Sequence, residues 1–286
     1  MQVSPYVRHL VLLNLSMLFI STSGVLGRYI ALPPPLTIFC RALLALFFLF
    51  FYCYFTKINL FQRLGKDTKT IFFSGIFMGV HWITYFYALK FSNVAIGMLS
   101  IFTYPVITIF LEPILLKTTF QKNQLFLAIL VVVGIFFLVP EFSFDNRYTL
   151  AVFLGVISAF FYALRNILVK KQIGKYQATA LMWYQLLIIV LMLIPTLFLF
   201  PLDGIADQLP ALAILALLTT AVGHSLYVMS FRYFSVSTAS IMGSLQPLYG
   251  IILGFVFLRE YPTPSTIIGG ILILTSVVLE GVRSYK

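Results

Sequence analysis

The sequence predicts an all-α polytopic membrane protein, with ten transmembrane helices arranged as two inverted five-helix repeats. Three observations predict it. Of the 286 residues 61% are hydrophobic and only 9% charged, with a mean hydropathy of +1.02, whereas a soluble domain carries about 25% charged residues. Apolar runs of spanning length recur along the whole chain, parted by basic residues and prolines. The two halves also repeat one another at a spacing of about 142 residues. The composition excludes a soluble cytosolic enzyme, a secreted disulfide scaffold, a nucleic-acid binder and a disordered regulator, because too few polar groups exist to cover a water-facing surface.

A spanning helix uses roughly 20 apolar residues, so ten of them leave no room for an extramembrane domain and function must lie within the bilayer. The spans are expected at about 8–28, 36–56, 70–89, 94–116, 123–140, 149–169, 178–200, 209–231, 235–258 and 265–283. The first is read as a retained span, because no small-residue cleavage site follows it. The second opens after Pro33-Pro34-Pro35, and the short basic turn at Lys90 separates the third from the fourth. The fifth, apolar all round over 125–138, ends at Pro140. Pro201 and Pro210 bracket the loop between the seventh and eighth, and Pro262 and Pro264 precede the tenth. A strand barrel would instead alternate in hydrophobicity every second residue. Cys40 and Cys53 share span two at thirteen residues' separation, roughly 20 Å of helix rise. They cannot pair with each other, and no CxxC-like spacing points to a metal. No metal or cofactor is expected.

The net charge of +11 reads as orientation. With the N-terminus inside, the inner segments carry Arg8, Lys57, Arg63, Lys66, Lys69, Lys117, Lys122, Lys170, Lys171, Lys175, Arg232, Arg283 and Lys286. The outer ones carry only Arg28, Lys90, Arg147 and Arg259, while Glu141, Asp145, Asp203, Asp207 and Glu260 gather there. Thirteen basic residues against four put both termini in the cytoplasm by the positive-inside rule.

The repeat is carried by Tyr85-Phe-Tyr-Ala-Leu-Lys-Phe-Ser-Asn-Val-Ala, which lines up with Tyr227-Val-Met-Ser-Phe-Arg-Tyr-Phe-Ser-Val-Ser. Lys90 matches Arg232, Val94 matches Val236, Pro105 matches Pro247, and Leu116-Lys117 matches Leu258-Arg259. Arg28 of span one falls near Arg165 of span six. Each half, 1–142 and 143–286, therefore holds five helices. An odd number reverses the second half in the bilayer, an arrangement from which many secondary transporters build a midplane site.

The Pro35-Leu-Thr-Ile-Phe-Cys-Arg41 opening of span two and the basic turn between spans three and four accompany a run of Gln246-Pro247, Leu258-Arg259-Glu260 and Gly269-Gly270. That run resembles the closing signature of an EamA domain. The whole chain resembles a two-domain EamA transporter of the drug/metabolite transporter superfamily. The resemblance implies a bacterial inner-membrane carrier, usually an exporter of amino acids or other small metabolites, with a central cavity lined by spans 1, 3, 4, 6, 8 and 9. The first half departs from the pattern, with Thr118 where the second half has Glu260, and Glu112 six residues earlier.

Polar residues inside spans are costly and are the functional candidates. Glu112 either couples transport to a proton or other cation, anchors a substrate ammonium, or pairs with Lys117 or Arg41 at the interface. Arg41 and Arg165 either grip a substrate carboxylate bidentately or snorkel to headgroups. His81 with Tyr85, and His224 with Tyr227, each share a helix face. These four are expected to bind substrate, His81 also being a coupling candidate because histidine titrates near neutral pH. Asn14, Ser21 and Arg28 form a polar stripe on span one, so Asn14 and Ser21 join the expected binding set, as do Arg165, Tyr249 and the midplane Tyr104 and Gln246. Pro105 and Pro247 are expected to kink their helices and serve as gating hinges. Trp183-Tyr184-Gln185 reads as an interfacial belt.

The expected function is a secondary transporter that moves an amino acid or related small metabolite, in the direction of export, by alternating access. A proton-coupled exporter of drugs or other organic solutes is the alternative. No GxxxxGK[ST] supports ATP hydrolysis. An intramembrane enzyme is remote, without HExxH, GxSxG or paired aspartates. A channel would need a filter loop or a charged ring. The expected partners are a small-molecule substrate and the lipid bilayer, with no nucleic acid, in a monomer or homodimer.

Overall fold

The computed structural model describes residues 5–117, 124–138, 143, 145–243 and 245–284. Thr118, Lys122, Pro140, Glu141 and Lys286 lie outside the described residues. The first half runs α1 (Pro5–Tyr29), α2 (Pro34–Phe55), α3 (Thr68–Phe91), α4 (Val94–Ile101), α5 (Tyr104–Leu116) and α6 (Gln124–Leu138). The second runs α7 (Arg147–Gln172), α8 (Ala178–Leu193), α9 (Thr196–Leu199), α10 (Ile205–Ile214), a π-helix (Leu215–His224), α11 (Ser225–Ser230), α12 (Val236–Met242), α13 (Leu245–Leu258) and α14 (Pro264–Ser284). Among the described residues eight helical stretches are long and apolar enough to cross a bilayer, and shorter apolar helices lie in α6 and α14. Large side chains such as Phe55, Phe136, Phe198 and Phe257 are exposed, while Arg41, Arg165, Asn166 and Gln185 are buried. That inversion of a soluble protein's surface suits a hydrocarbon solvent.

The protein is an all-helical membrane protein whose halves interlock. α1 packs on the π-helix and α13 of the second half, and α7 packs on α3, α4 and α5 of the first. α6 packs on α14, the last helix of one half on the last of the other. The repeat reaches the backbone: Lys117 and Arg259, matched positions, both end their helices in the left-handed region, at φ 57° and 55°. Asn93 caps α4, its side chain accepting from the Ile96 amide at 2.9 Å. Asn146 does the same for α7 through Tyr148. Such caps satisfy amides that have no partner within the helix.

Spans four and nine are broken where kinks were expected. The ring of a proline clashes with the carbonyl four residues earlier and removes one amide donor. Accordingly α4 ends at Ile101, four before Pro105, and α12 ends at Met242, five before Pro247. Pro210 was expected between spans but lies inside α10, because that helix starts earlier, after Gly204 at φ 80°. Beyond it span eight widens into the ten-residue π-helix, a form that clusters at functional sites.

Close approach of α7 to α4 depends on one missing methyl. A Cβ on Gly155 would lie 1.9 Å from Ser100 Oγ. Gly155→Leu should therefore cost about 1–3 kcal/mol through overpacking, read as a lowered midpoint of thermal unfolding in detergent. An unchanged midpoint would show that the two helices part without penalty.

Candidate functional site

The centre of the bundle is built around two buried arginines. α2 carries Arg41 to a position with no exposed surface. Its Nε donates to Thr220 Oγ1 at 2.6 Å, and its Cζ lies 3.9 Å from the centroid of the Trp82 ring. A desolvated cation over an indole face gains about 2 kcal/mol. Thr220 is available because the π-helix turns so widely that its hydroxyl donates to Leu215 O, five residues back, at 3.1 Å. Neither Nη of Arg41 has a hydrogen-bond partner among the described residues. Arg165 on α7 is equally buried, with Nε donating to Gln185 Oε1 at 2.7 Å, Nη1 to Asn166 Oδ1 at 3.0 Å and Nη2 towards Met182 Sδ at 3.2 Å. Both guanidiniums lie too deep to snorkel, and the midspan bond between Gln185 and Arg165 takes Gln185 out of an interfacial belt.

Aromatic and imidazole rings line the space between them. His81 stacks on Tyr162 with centroids 4.3 Å apart. Ser158 Oγ donates to His81 O at 2.7 Å, so its lone pair accepts from His81 Nδ1–H at 2.8 Å. That pairing puts the ring proton on Nδ1. Tyr104 and Tyr227 meet hydroxyl to hydroxyl at 3.3 Å. The cavity that remains is about 10 Å³, the room of a single water. Its wall takes residues from spans 1, 3, 4, 6, 8 and 9, and also Arg41 from span two.

Both ends are closed, and closed alike. At one face Arg28 Nε donates to Glu260 Oε1 at 2.9 Å, and the other carboxylate oxygen accepts from the Val94 amide at 2.7 Å. Arg28 Nη1 also reaches Leu89 O at 3.3 Å, while Lys90 Nζ reaches back to Ile30 O and to Arg28 O. At the opposite face Lys170 Nζ donates to Phe231 O at 2.6 Å and Phe234 O at 2.9 Å. Arg232 Nη2 donates to Tyr176 O at 3.0 Å, and Ser237 Oγ donates to Glu112 Oε2. Lys170 follows Arg28 by 142 residues, and Arg232 follows Lys90 by the same interval. The partner of Arg28 across the repeat is thus Lys170, not Arg165. Glu112 occupies the role that Glu260 has at the other face, holding the start of the facing span, despite its offset in sequence. It pairs with neither Lys117 nor Arg41 in this arrangement.

Of the expected binding residues, His81, Tyr85, Tyr104, His224 and Gln246 are on the cavity wall. Tyr227 and Arg165 are fully buried one layer behind. Asn14 and Ser21 spend donors on Leu10 O and Leu18 O of their own helix, and α1 contributes Ile20 and Ser23 to the wall instead. Tyr249 is half-buried against the apolar core. Pro105 and Pro247 adjoin the breaks that free Phe102, Tyr104 and Gln246 to face inwards. Sequence reading missed Trp82, Tyr162, Ser158 and Thr220, which look like ordinary span residues. It also passed over Lys170, which the 142-residue interval singles out.

Comparisons with known proteins follow the same lines. An uncharacterized transporter of Archaeoglobus fulgidus is 24% identical over 218 residues, 76% of this chain and 78% of its own. The pseudopaline exporter CntI of Pseudomonas aeruginosa is 22% identical over 208 residues, 71% of this chain and 72% of its own. A solved structure described only as that of a protein superposes with a TM-score of 0.72 at 14% identity, over 97% of this chain and 98% of its own, a likeness of fold. The sequence profile of the EamA-like transporter family matches twice, over residues 8–139 and 149–280, and the chain belongs to that family.

Proposed function

We propose that this transporter exports a small metabolite, an amino acid or related compound, across the bacterial inner membrane by alternating access. The reading rests on the paired closures: one mechanism of sealing, a basic side chain gripping the carbonyl end of a neighbouring helix, occurs at both faces around one central cavity. Two interchangeable gates about a midplane site are what an inverted repeat supplies. We divide the repeats at 142/143 and place the face of Lys170, with both termini, in the cytoplasm, since the basic loops gather there. The export direction draws on the relative named an exporter. The wall residues His81, Tyr85, Tyr104, His224 and Gln246 bind substrate, with Tyr227 and Arg165 behind them. The helix breaks at Pro105 and Pro247 act as hinges. Glu112, held by Ser237 at the inner closure and within electrostatic reach of Lys170, is the first coupling candidate and His81 the second.

Purified protein in proteoliposomes is expected to show saturable counterflow for at least one compound of an amino-acid and metabolite panel. An inward-directed pH gradient should accelerate it, and Glu112→Gln should remove that acceleration while leaving counterflow. Linear, non-saturating flux would overturn the carrier reading. Gradient-driven transport at full rate in both Glu112→Gln and His81→Ala would overturn the coupling assignment.

A further inference from the structure

The charges around the cavity do not balance, and the imbalance identifies the chemistry of what enters. Arg41 and Arg165 are both without exposed surface, and guanidinium stays protonated in proteins. Among the described residues no carboxylate lines the cavity. Asp67 is bonded to Lys175, Glu260 to Arg28 and Glu112 to Ser237, each at one face or the other and away from the centre. Arg165 has its guanidinium fixed by Gln185, Asn166 and Met182. Arg41 differs: the Thr220 bond and the Trp82 face orient it, yet both Nη atoms are buried on the cavity wall with no hydrogen-bond partner among the described residues. On the same wall His224 Nδ1 is also buried without a hydrogen-bond partner among the described residues, and the buried Tyr85 hydroxyl has Ser23 beside it.

We propose that the substrate is a small organic anion whose carboxylate or phosphate docks on Nη1 and Nη2 of Arg41, with the hydroxyl of Tyr85 as a further donor. This deepens the carrier reading and rests on it. A buried cation without a counter-ion is costly, and a planar fork held over an indole ring with both Nη atoms unspent can bind an oxyanion bidentately. A cationic solute would meet two positive charges in a medium of low dielectric. A neutral solute would leave the Arg41 fork without a counter-charge. Arg165, with its guanidinium fixed, supplies positive potential, so Arg41 is the anchor and Arg165 a positioning charge. The cavity widens to admit the solute when either closure opens.

The test uses the full chain in detergent, read by thermal shift, against a panel of mono- and dicarboxylates and sugar phosphates. Succinamide serves as neutral isostere of succinate and putrescine as cationic counterpart. At least one anion is expected to raise the wild-type midpoint, with the carboxylate and phosphate arms identifying the headgroup, while succinamide and putrescine leave it unmoved. Arg41→Gln should abolish the response, and Arg41→Lys should retain it at about tenfold lower affinity, keeping the charge and losing the fork. Should Arg41→Gln fail to fold, Tyr85→Phe removes one hydroxyl only and should weaken anion affinity severalfold. No shift from any anion, equal shifts from succinamide or putrescine, or an undiminished response in the variants would overturn the proposal. Anion binding without counterflow in proteoliposomes would instead overturn the carrier reading, and counterflow only of solutes that lack a carboxylate or phosphate would overturn this one and leave that standing.

Discussion

Gln185→Leu is expected to destabilise the protein by about 2–3 kcal/mol, the range for removing a hydrogen-bond partner from a buried charged group. The change is nearly isosteric, so packing contributes little to the loss. What remains is Arg165 with its Nε donor unpaired in the middle of the bundle, where no water can replace the amide oxygen. Titration of the folded protein with SDS in mixed micelles reads the effect directly. Gln185→Glu separates the roles of this residue. A carboxylate there keeps the bond at 2.7 Å and strengthens it with charge, offsetting the lost donation from Gln185 Nε2 to Leu181 O, so stability should be retained. The same carboxylate cancels the positive potential at the centre, so affinity for anionic solutes should fall. A Gln185→Leu variant as stable as the wild type would mean that Arg165 finds another partner and that the centre is less rigidly built than its geometry indicates.

Opposite shifts in accessibility are expected when the two closures are weakened one at a time. With Cys40 and Cys53 replaced by alanine and Ser23→Cys placed on the cavity wall, Glu260→Gln should raise thiol labelling from the Arg28 face, and Lys170→Met should lower it. The Arg28–Glu260 pair is partly exposed, with side chains 30% and 20% accessible, so screening limits it to about 0.2–1 kcal/mol. A shift of that size changes the ratio of the two open states by up to about fivefold. Combining both substitutions should return labelling towards the wild-type value while raising total flux through the cavity. Labelling that rises with both single substitutions would mean that the two closures do not compete, contrary to alternating access.

The spans were legible because hydrocarbon leaves the backbone no alternative to the helix, and a run of twenty apolar residues says so whatever its neighbours are. The inverted repeat was legible through Lys90 and Arg232, Pro105 and Pro247, and its trace persists in the matched left-handed caps at Lys117 and Arg259. His81, Tyr85, Tyr104, His224 and Gln246 could be nominated because polar groups inside a span are costly and few. Arg41 was visible too, but its two readings, headgroup or substrate, differ only in what surrounds it. Thr220 and Ser158 could not be nominated, since small hydroxyls are frequent in spans and their importance lies in one partner far away in the chain, while Gln185 read as part of an interfacial belt because nothing within its own span points to Arg165. The breaks in spans four and nine were half legible. Proline announced a defect, but only packing decides between a kink and a separate helix.

Composition, charge placement and repetition by themselves determined a membrane protein of ten helices in two inverted halves and the short roster of polar residues from which function must be drawn. Each of these properties is local or additive along the chain. Tertiary structure decided which of those residues meet. It put Arg41 over Trp82 with its Nη atoms free, tied Arg165 to Gln185, and set Glu112 across from Ser237 as Glu260 is set across from Val94. Those pairings join residues separated by up to 166 positions. Each arises only when separate helices pack together, the two carboxylate contacts only when one half meets the other, and no periodicity within a single span encodes such a meeting.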